Sequence, residues 1–240
     1  MKKDDLYSQP LEIIGDFVFD ERVANIFTDM IQRSVPGYNV IIGMIGVLAE
    51  QYVCENSCCY DLGCSLGAAT MAMRQKTNKE HVKIIAVANS PAMIKKCQEN
   101  LTKASAASVE LLCDDICNVE IKNASMVVLN FTLQFVELEQ RERLLGRIYQ
   151  GVRPGGVIVI SEKIIFEDKD EQNFQTKLYE NFKKLNGYSD LEIAQKRTAL
   201  EKVLIPDTLK EHQRRLEKVG FQNFYVWFQC FNFVSMVAVK

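Results

Sequence analysis

Through the middle of the chain, short apolar runs alternate with longer segments that carry apolar residues on one face. Continuous apolar runs separated by helical segments are typical of parallel strands that are covered on both sides. The pattern therefore predicts an α/β fold with a doubly wound, mostly parallel sheet. The predicted strands are Cys58 to Leu62, Val82 to Ala88, Val109 to Cys113, Ala124 to Asn130 and Val157 to Ser161.

The segments between these strands carry helix signals. A helix is expected from Ser65 to Arg74. The next helix begins at Ser90-Pro91, where the serine is the predicted N-cap and the proline is the first helical residue. Residues 138–150 form a further predicted helix, which Gly151 is expected to end. A Pro-Gly-Gly turn at residues 154–156 is expected before the fifth strand.

Both flanks of this core also show regular structure. Two helices are expected before the first strand, over residues 20–33 and 39–53. After the core, a helix is expected from Thr208 to Val219. The last two segments, Phe221 to Gln229 and Phe231 to Val239, read as adjacent strands. The sheet should therefore close with a C-terminal antiparallel hairpin.

Residues 167–205 interrupt the alternation of strands and helices. Two helices are expected there, Asp168 to Leu185 and Asp190 to Val203, and no strand. Ser189 and Glu192 have the spacing of a capping box at the start of the second helix. Because the insertion adds nothing to the sheet, it is expected to form a lid or an oligomer contact.

These boundaries predict one domain with four parts. The parts are the N-terminal helices at 1–55, the core of alternating strands and helices at 56–166, the helical insertion at 167–205, and the closing helix and hairpin at 206–240.

Composition narrows the class of protein. The chain has 240 residues and a formal net charge of −2, without a block rich in lysine and arginine. Stable direct binding of nucleic acid is therefore not expected, since such proteins usually carry a basic face. The N-terminus lacks the apolar stretch of a signal peptide, and no apolar run approaches the roughly 18 residues of a membrane span. A soluble, cytoplasmic protein without membrane contact is expected.

The eight cysteines do not predict a metal site. Cys54, Cys58 and Cys59 lie close together, but they lack the usual ligand spacing, and the only histidines are His81 and His212. In a reducing compartment these cysteines are expected to behave as small buried apolar residues.

The candidate chemistry lies in YDLGCSLGAAT, residues 60–70. Gly63 and Gly67 bracket a tight turn between the first strand and a helix, where free N–H groups favour a polar or anionic ligand. Asp61 ends the strand and is a candidate acceptor for a ligand ammonium. A pair of glycines alone is weak evidence, and a plain strand–helix turn is the alternative interpretation.

Further polar residues fall at the carboxyl ends of the other predicted strands. In doubly wound sheets, ligands bind outside these ends. Ala88-Asn89 ends the second strand, Asp115 follows the third and Asn130 ends the fourth. A carboxylate and an amide at one sheet edge can bind an adenine ring and an amino-acid group, although Asp115 alone is equally typical of a solvated turn.

DLGCSLGAAT resembles motif I of class I S-adenosylmethionine-dependent methyltransferases. Five further segments are similar to carboxy-S-adenosyl-L-methionine synthases, and together the resemblance covers nearly the whole chain. The segments are FTDMIQRSVPGY (27–38), IKNASMVVLNFTLQF (121–135), SEKIIFED (161–168), NGYSDLEIAQKRTALE (186–201) and WFQCFNF (227–233). The resemblance implies the Rossmann-like class I methyltransferase fold.

The resemblance also implies an activity. Members of that family convert S-adenosyl-L-methionine and prephenate to carboxy-S-adenosyl-L-methionine and phenylpyruvate, which supplies modification of the tRNA wobble uridine. They are homodimers, and the interface is expected near the inserted helices. By matched position, Arg197 would bind the carboxylate of the product. The implied nucleoside-binding residues are Tyr38, Gly63, Cys64, Ser65, Ala88, Asn89, Asp115, Ile116 and Asn130.

One position departs from the family pattern. The second strand is expected to end in Asp-Asn-Ser, with the carboxylate accepting from the ribose hydroxyls, but here Ala88 precedes Asn89. The loss is expected to cost about 1–3 kcal/mol of binding. Three alternatives therefore stay open: a true methyltransferase, a degenerate protein without catalysis, and, more distantly, an NAD dehydrogenase.

Overall fold

The computed structural model describes residues 2–101 and 108–240, and Met1 and residues 102–107 lie outside the described part. The helices are α1 (Glu21–Ser34), α2 (Tyr38–Tyr52), α3 (Ala68–Lys76), α4 (Pro91–Leu101), α5 (Leu138–Gly151), α6 (Lys169–Leu185), α7 (Asp190–Leu200) and α8 (Leu209–Val219). The strands are β1 (Cys58–Leu62), β2 (Lys83–Ala88), β3 (Ser108–Cys113), β4 (Ala124–Asn130), β5 (Val152–Ile165), β6 (Asp207–Thr208), β7 (Gln222–Cys230) and β8 (Phe233–Val239).

The described strands form a mixed sheet in the order β3-β2-β1-β4-β5-β8-β7, with the short β6 beside β5. β1 to β5 pair in parallel, whereas β8 pairs antiparallel with both β5 and β7. The prediction of a doubly wound, mostly parallel sheet with a C-terminal antiparallel hairpin is confirmed. The order reverses between β1 and β4, so the carboxyl ends of these two strands flank the crevice where such folds bind ligands.

Apolar side chains cover both faces of the sheet. On one face, Leu144 and Ile148 of α5 and Leu216 of α8 pack against the strands. On the other face, Ile41 and Ile45 of α2 are fully buried against the same sheet. Burial on both sides explains why the core strands read as continuous apolar runs.

Several predicted boundaries were wrong near glycines. α3 begins at Ala68 rather than Ser65, because Ser65 and Gly67 both have positive φ and extend the loop by one turn. Gly151 is the last residue of α5 rather than its stop signal; a Cβ there would lie 2.2 Å from the Ile121 carbonyl oxygen. Residues 154–156 lie within β5, where a register irregularity against β4 accommodates them.

The insertion contains the two expected helices, and the capping box of Ser189 and Glu192 is confirmed. α7 ends at Leu200 rather than Val203. Its position is fixed by the N-terminal segment, which the sequence patterns did not link to it. Gln195 donates to the carbonyls of Tyr7 and Gln9, and Lys196 pairs with the buried Asp4.

Two absences are seen within the described ranges. None of their helices combines the length and the apolar character required to cross a bilayer. The same residues contain no group of three or more His, Cys, Asp or Glu side chains arranged to hold a metal ion.

Candidate functional site

The turn after β1 is shaped by a close approach of backbone to side chain. Gly63 has φ +94°, and a Cβ at this position would lie 2.2 Å from the hydroxyl oxygen of Thr132. Only glycine fits this conformation without displacing its neighbour. The N–H groups of Gly63 and Cys64 both donate to the Val87 carbonyl, at 2.9 and 2.8 Å. The turn is therefore tied to β2, and its first two donors are already used.

The next two donors of the turn, the N–H groups of Ser65 and Leu66, have no acceptor in the part of the chain that the structure describes. Ser65 has φ +51° and Gly67 has φ +85°, so the loop curls back before α3 begins. Within the described residues, the N–H groups of Ser65 and Leu66 donate to no carbonyl or side chain. Successive N–H groups in such a curl bind anionic or polar ligand atoms. This arrangement fits the carboxylate of an amino-acid ligand.

Asp61 is a buried carboxylate at the end of β1, with 1% of its surface exposed. The Thr70 hydroxyl donates to it at 2.5 Å. Burial raises the pKa of Asp61 to about 6, although the hydrogen bonds from Thr70 oppose the rise. Burial, and secondly the Asp61 charge, also raise the pKa of Tyr38. A ligand ammonium beside Asp61 would be favourable.

At the end of β2, an apolar side chain stands where the resemblance predicts a carboxylate. Ala88 is 8% exposed and packs with Cys64 and Cys97. Its carbonyl accepts from the N–H of Asp114, while the neighbouring Asn89 is exposed. Asn89 is therefore the polar side chain that the structure offers at this strand end.

The predicted residues after β3 divide between solvent and core. Asp115 is exposed, and one of its carboxylate oxygens accepts from the Cys117 N–H at 2.8 Å. Ile116 is 7% exposed and belongs to the core cluster of the sheet. An exposed carboxylate beside an apolar side chain suits the polar edge and the flat face of an adenine, respectively.

Asn130 ends β4, and its side-chain oxygen is buried. No partner for this oxygen exists within the described residues. An unpaired buried acceptor is costly, so such groups in native proteins usually meet a ligand or water. The following residue, Phe131, has φ +58°, and it turns the chain away from the strand end. The geometry leaves the Asn130 oxygen available to a ligand donor.

The cysteine of the turn is not a candidate for chemistry. Cys64 is 4% exposed. A hydrogen bond to Cys97, burial and the nearby Asp61 charge all raise the pKa of its thiol, so it stays protonated. A Cβ at Gly67 would lie 2.7 Å from the Cys97 sulfur, which shows how tightly this layer packs.

Arg197 lies on α7 in the insertion, with 61% of its side chain exposed and an ion pair to Glu180 of α6. Its charge also acts at the end of β5. Burial, and secondly the Arg197 charge, lower the pKa of Lys163. Glu180 follows Tyr179, whose ring contacts Lys163 of β5, and Ser161 of β5 pairs with Asn130. These contacts bring the guanidinium to the same edge of the sheet as Asn130.

Sequence patterns missed the other side chains at this edge. Lys163 and Lys183 both contact the ring of Tyr179, which packs against Phe233. Lys183 and Tyr179 lie on α6, far along the chain from β5, and only the packing of the insertion brings them together. The one available signal was the position of Lys163 just beyond the fifth apolar run.

Comparison with known proteins decides the family. A family model described as a methyltransferase domain matches residues 60–156. The carboxy-S-adenosyl-L-methionine synthase of Shewanella sediminis is 55% identical over 239 residues, covering 99% of this chain and 98% of that protein. The synthase of Geobacter sp. (strain M21) is 55% identical over 241 residues, covering 100% and 99%. The chain belongs to the carboxy-S-adenosyl-L-methionine synthase family.

Solved structures agree on the fold of this synthase family member. A putative S-adenosyl-L-methionine-dependent methyltransferase of Methanococcus maripaludis superposes with a TM-score of 0.59 at 18% identity, covering 96% of this chain and 97% of that one. Human N-acetylserotonin methyltransferase, whose structure was solved with SAM, superposes with a TM-score of 0.61 at 16% identity, covering 92% of this chain and 55% of that one. These identities are low, so the likeness shows the class I methyltransferase fold alone.

Proposed function

We propose that the protein converts S-adenosyl-L-methionine and prephenate to carboxy-S-adenosyl-L-methionine and phenylpyruvate. The observation that carries the proposal is the 55% identity, over nearly the full length, to curated carboxy-S-adenosyl-L-methionine synthases. The unpaired groups at the sheet edge support it, because they suit a ligand with an amino-acid group, a nucleoside and an added carboxylate. The protein is accordingly an enzyme, with S-adenosyl-L-methionine as substrate and carboxy-S-adenosyl-L-methionine as product.

In the proposed complex, the amino-acid group binds at the turn after β1. The N–H groups of Ser65 and Leu66 bind its carboxylate, and Asp61 accepts from its ammonium. Tyr38 closes this end, since its ring packs against the core and lies 6.4 Å, between centroids, from the ring of Phe131. The nucleoside then extends past Ala88 and Asn89, with Asp115 and Ile116 around the adenine and the Asn130 oxygen accepting from the ligand.

The proposed chemistry needs little acid–base help from side chains. Prephenate loses its ring carboxylate as carbon dioxide and its hydroxyl as hydroxide when the ring becomes aromatic. The hydroxide takes a proton from the methyl group on the sulfonium, giving water and an ylide. The ylide carbon then bonds to the carbon dioxide, which forms the carboxylate of the product. The pocket must exclude water, because water would protonate the ylide.

Arg197 is the proposed partner of the new carboxylate. A guanidinium can hold a carboxylate through two parallel hydrogen bonds. In the structure this fork pairs with the Glu180 carboxylate instead. When the product forms, its new carboxylate would therefore take the place of the Glu180 carboxylate. Arg197 is then paired with a carboxylate both in the free protein and in the product complex.

Further parts of the proposal rest on the resemblance to the family. The product would be used by a separate enzyme to carboxymethylate the wobble uridine of tRNA, in the cytoplasm. A net charge of −2 is compatible with this role, because the substrates here are small molecules and not the tRNA itself. The protein is further proposed to be a homodimer.

The test is mass spectrometry of the small molecules formed when the purified protein is mixed with S-adenosyl-L-methionine and prephenate. The proposal expects a sulfonium product heavier by one carboxyl group, together with phenylpyruvate in equal amount. Unchanged S-adenosyl-L-methionine in the presence of prephenate would contradict it. If no product forms, the reaction is repeated with the Ala88→Asp variant. Activity in this variant would show that Ala88 inactivates the wild type, whereas continued inactivity would show that the protein has another substrate.

A second candidate function follows from Ala88. A degenerate family member that binds partners but little nucleoside would tolerate the loss of the carboxylate at this position. Isothermal titration with S-adenosyl-L-methionine tests this candidate directly. A tight complex contradicts it, whereas absence of binding in the wild type and full recovery in Ala88→Asp would support it.

A further inference from the structure

Two lysines share one aromatic ring at the carboxyl edge of the sheet. The Lys183 Nζ lies 4.4 Å from the centroid of the Tyr179 ring, and the Lys163 Nζ lies 5.3 Å from the same centroid. Both distances are within the range of cation–π contacts. The two ammonium groups therefore lie around one aromatic ring, in a region that little water reaches.

Among the described residues, these two ammonium groups find no carboxylate of the kind that normally pairs with a buried lysine. Lys183 is 8% exposed, and burial, Lys163 and Lys196 all lower its pKa, to about 8. For Lys163 the causes are burial and Arg197. Within residues 2–101 and 108–240, no acidic group offsets either charge. An aromatic ring compensates only part of the cost of burying an ammonium group.

Other lysines of the insertion show the ordinary solution. Lys196 is 9% exposed, but its Nζ lies 3.5 Å from the Asp4 carboxylate and 2.9 Å from the Ser34 hydroxyl. Lys184, next to Lys183 on α6, extends to the surface and pairs with Asp190 at 2.6 Å. Unlike Lys184 and Lys196, Lys163 and Lys183 have no carboxylate partner within the described residues, although both are withdrawn from solvent. This difference points to an anion that binds from outside the chain.

The pair lies beside the proposed nucleoside site. Lys163 is two residues beyond Ser161, which pairs with Asn130 across β4 and β5. Aromatic contacts continue this connection. The ring centroid of Phe233 lies 6.0 Å from that of Phe131 and 5.0 Å from that of Tyr179. A molecule bound against the two lysines would therefore lie next to the reacting end of S-adenosyl-L-methionine.

We propose that Lys163 and Lys183, with the ring of Tyr179 between them, form the subsite for one carboxylate of the second substrate. The proposal rests on the proposed function and deepens it, because it assigns this group to the α-keto carboxylate of prephenate, the one that phenylpyruvate retains. Arg197 is left to the carboxylate that is newly formed on the product.

Chemistry selects the retained carboxylate. The ring carboxylate must leave as neutral carbon dioxide, so two ammonium groups on it would stabilise the starting anion and slow its loss. The α-keto carboxylate keeps its charge throughout the reaction. Binding it holds the substrate in place and stabilises the starting state and the transition state alike. The same contact should bind the phenylpyruvate product.

The test compares Lys183→Met with Lys184→Met. Methionine keeps the length of the side chain but removes the charge, and Lys184 is a matched surface control on the same helix. Binding of phenylpyruvate to protein saturated with S-adenosyl-L-methionine is measured by isothermal titration, and KM for prephenate is measured by the mass-spectrometric assay. Lys183→Met should weaken phenylpyruvate binding and raise the KM for prephenate, each about 10- to 100-fold, as expected for a lost charge-assisted contact. Lys184→Met should change neither more than about twofold.

A second readout separates binding from a structural role. Removing an unpaired buried charge should leave the melting temperature of the free protein unchanged or raise it, since an apolar side chain fits this site better. Lys183→Met that melts lower and binds S-adenosyl-L-methionine as poorly as phenylpyruvate would overturn the proposal, because the lysine would then be structural. Unchanged phenylpyruvate binding in this variant would overturn it as well.

The design also separates the two proposals. If the wild type forms no carboxy-S-adenosyl-L-methionine, the proposed function fails, but lysine-dependent binding of phenylpyruvate would still support a carboxylate subsite. If the wild type is active and Lys163→Met and Lys183→Met keep the KM for prephenate, the function stands and the subsite is wrong.

Discussion

At the scale of single residues, Ala88 stands where the resemblance predicts a carboxylate. Replacing Ala88 by Asp should supply the missing acceptor for the ribose hydroxyls and tighten S-adenosyl-L-methionine binding about 10- to 100-fold. Isothermal titration measures the change. Ala88→Asn is the control, because it has the same size without the charge and should gain less. Equal gains in the two variants would show that the charge is irrelevant.

Asp61 predicts a pH dependence of binding. Burial raises its pKa to about 6, and only the ionised carboxylate attracts a ligand ammonium. S-adenosyl-L-methionine affinity should therefore be constant above pH of about 7 and fall as the pH decreases through 6, approaching tenfold per pH unit. Titrations between about pH 5 and 8 measure it. Asp61→Asn should bind more weakly and remove this dependence; the same slope in the variant would exclude Asp61 as its source.

Arg197 predicts a difference between two ligands. Arg197→Ala should weaken carboxy-S-adenosyl-L-methionine binding about 10- to 100-fold, as for a lost charge-assisted hydrogen bond, and change S-adenosyl-L-methionine binding little. Competition titration with both ligands measures the ratio. Arg197→Lys keeps the charge without the planar fork and should fall between wild type and Ala. Equal losses for both ligands in Arg197→Ala would contradict the role proposed for this residue.

At the scale of secondary structure, the two-residue strand β6 joins three elements through one carboxylate. Asp207 accepts from Arg141 of α5 at 2.5 Å and from Arg215 of α8 at 2.6 Å. Arg141 is fully buried and also donates to the carbonyl oxygens of Val136 and Ile205. A strand of this length has no stability of its own, so these contacts hold it beside β5.

Asp207→Asn should lower the free energy of unfolding by about 3 kcal/mol, because it leaves the buried Arg141 without its carboxylate and Arg215 with Glu211 alone. Burial alone would raise the pKa of Asp207, but Arg215 and then Arg141 lower it. The difference in the free energy of unfolding between wild type and variant should thus be fully present above pH of about 4 and shrink as the pH falls further. Urea unfolding at several pH values measures it. A difference that grows toward low pH would contradict this account.

The same scale shows which elements could be predicted from sequence. The core strands of the parallel sheet were predictable, because burial on both faces leaves an uninterrupted apolar run. β6 and the 3₁₀ turn Leu133–Phe135 were not, since each is stabilised by distant partners. The buried Glu162 of β5, for instance, accepts from the N–H groups of Leu133 and Gln134. No local pattern encodes such a contact.

The site divides in the same way. The ends of predicted strands located Asp61, Asn89, Asp115 and Asn130, because carboxyl ends of parallel strands share one edge. Lys163 and Lys183 were missed because α6 reaches this edge only through tertiary packing. Arg197 is assigned from the family resemblance alone, since its exposed helix position by itself predicts a solvated charge.

At the scale of the whole molecule, the proposed homodimer needs an apolar surface. α6 exposes Phe174 and Leu185, at 61% and 85%, in the insertion where the interface is expected. Exposed side chains of this size are common at contacts between subunits. The Phe174→Glu, Leu185→Glu double variant should sediment as a monomer where the wild type sediments as a dimer. Val40→Glu, at a position on α2 that is 57% exposed, is the control and should remain dimeric. Dissociation by the control alone would place the interface on α2.

The attachment of the N-terminal segment to α7 has a consequence for how the molecule folds. Asp4 and Lys196 are separated by 192 residues, and Leu11 donates to Gln195 across 184. Contacts between such distant parts of a chain form late, because closing the loop between them costs entropy before any contact repays it. The helix that carries Arg197 should therefore dock last during refolding. Ligand-binding competence should then lag behind formation of the sheet, and amides of α7 should gain protection from hydrogen exchange after those of β1 and β4.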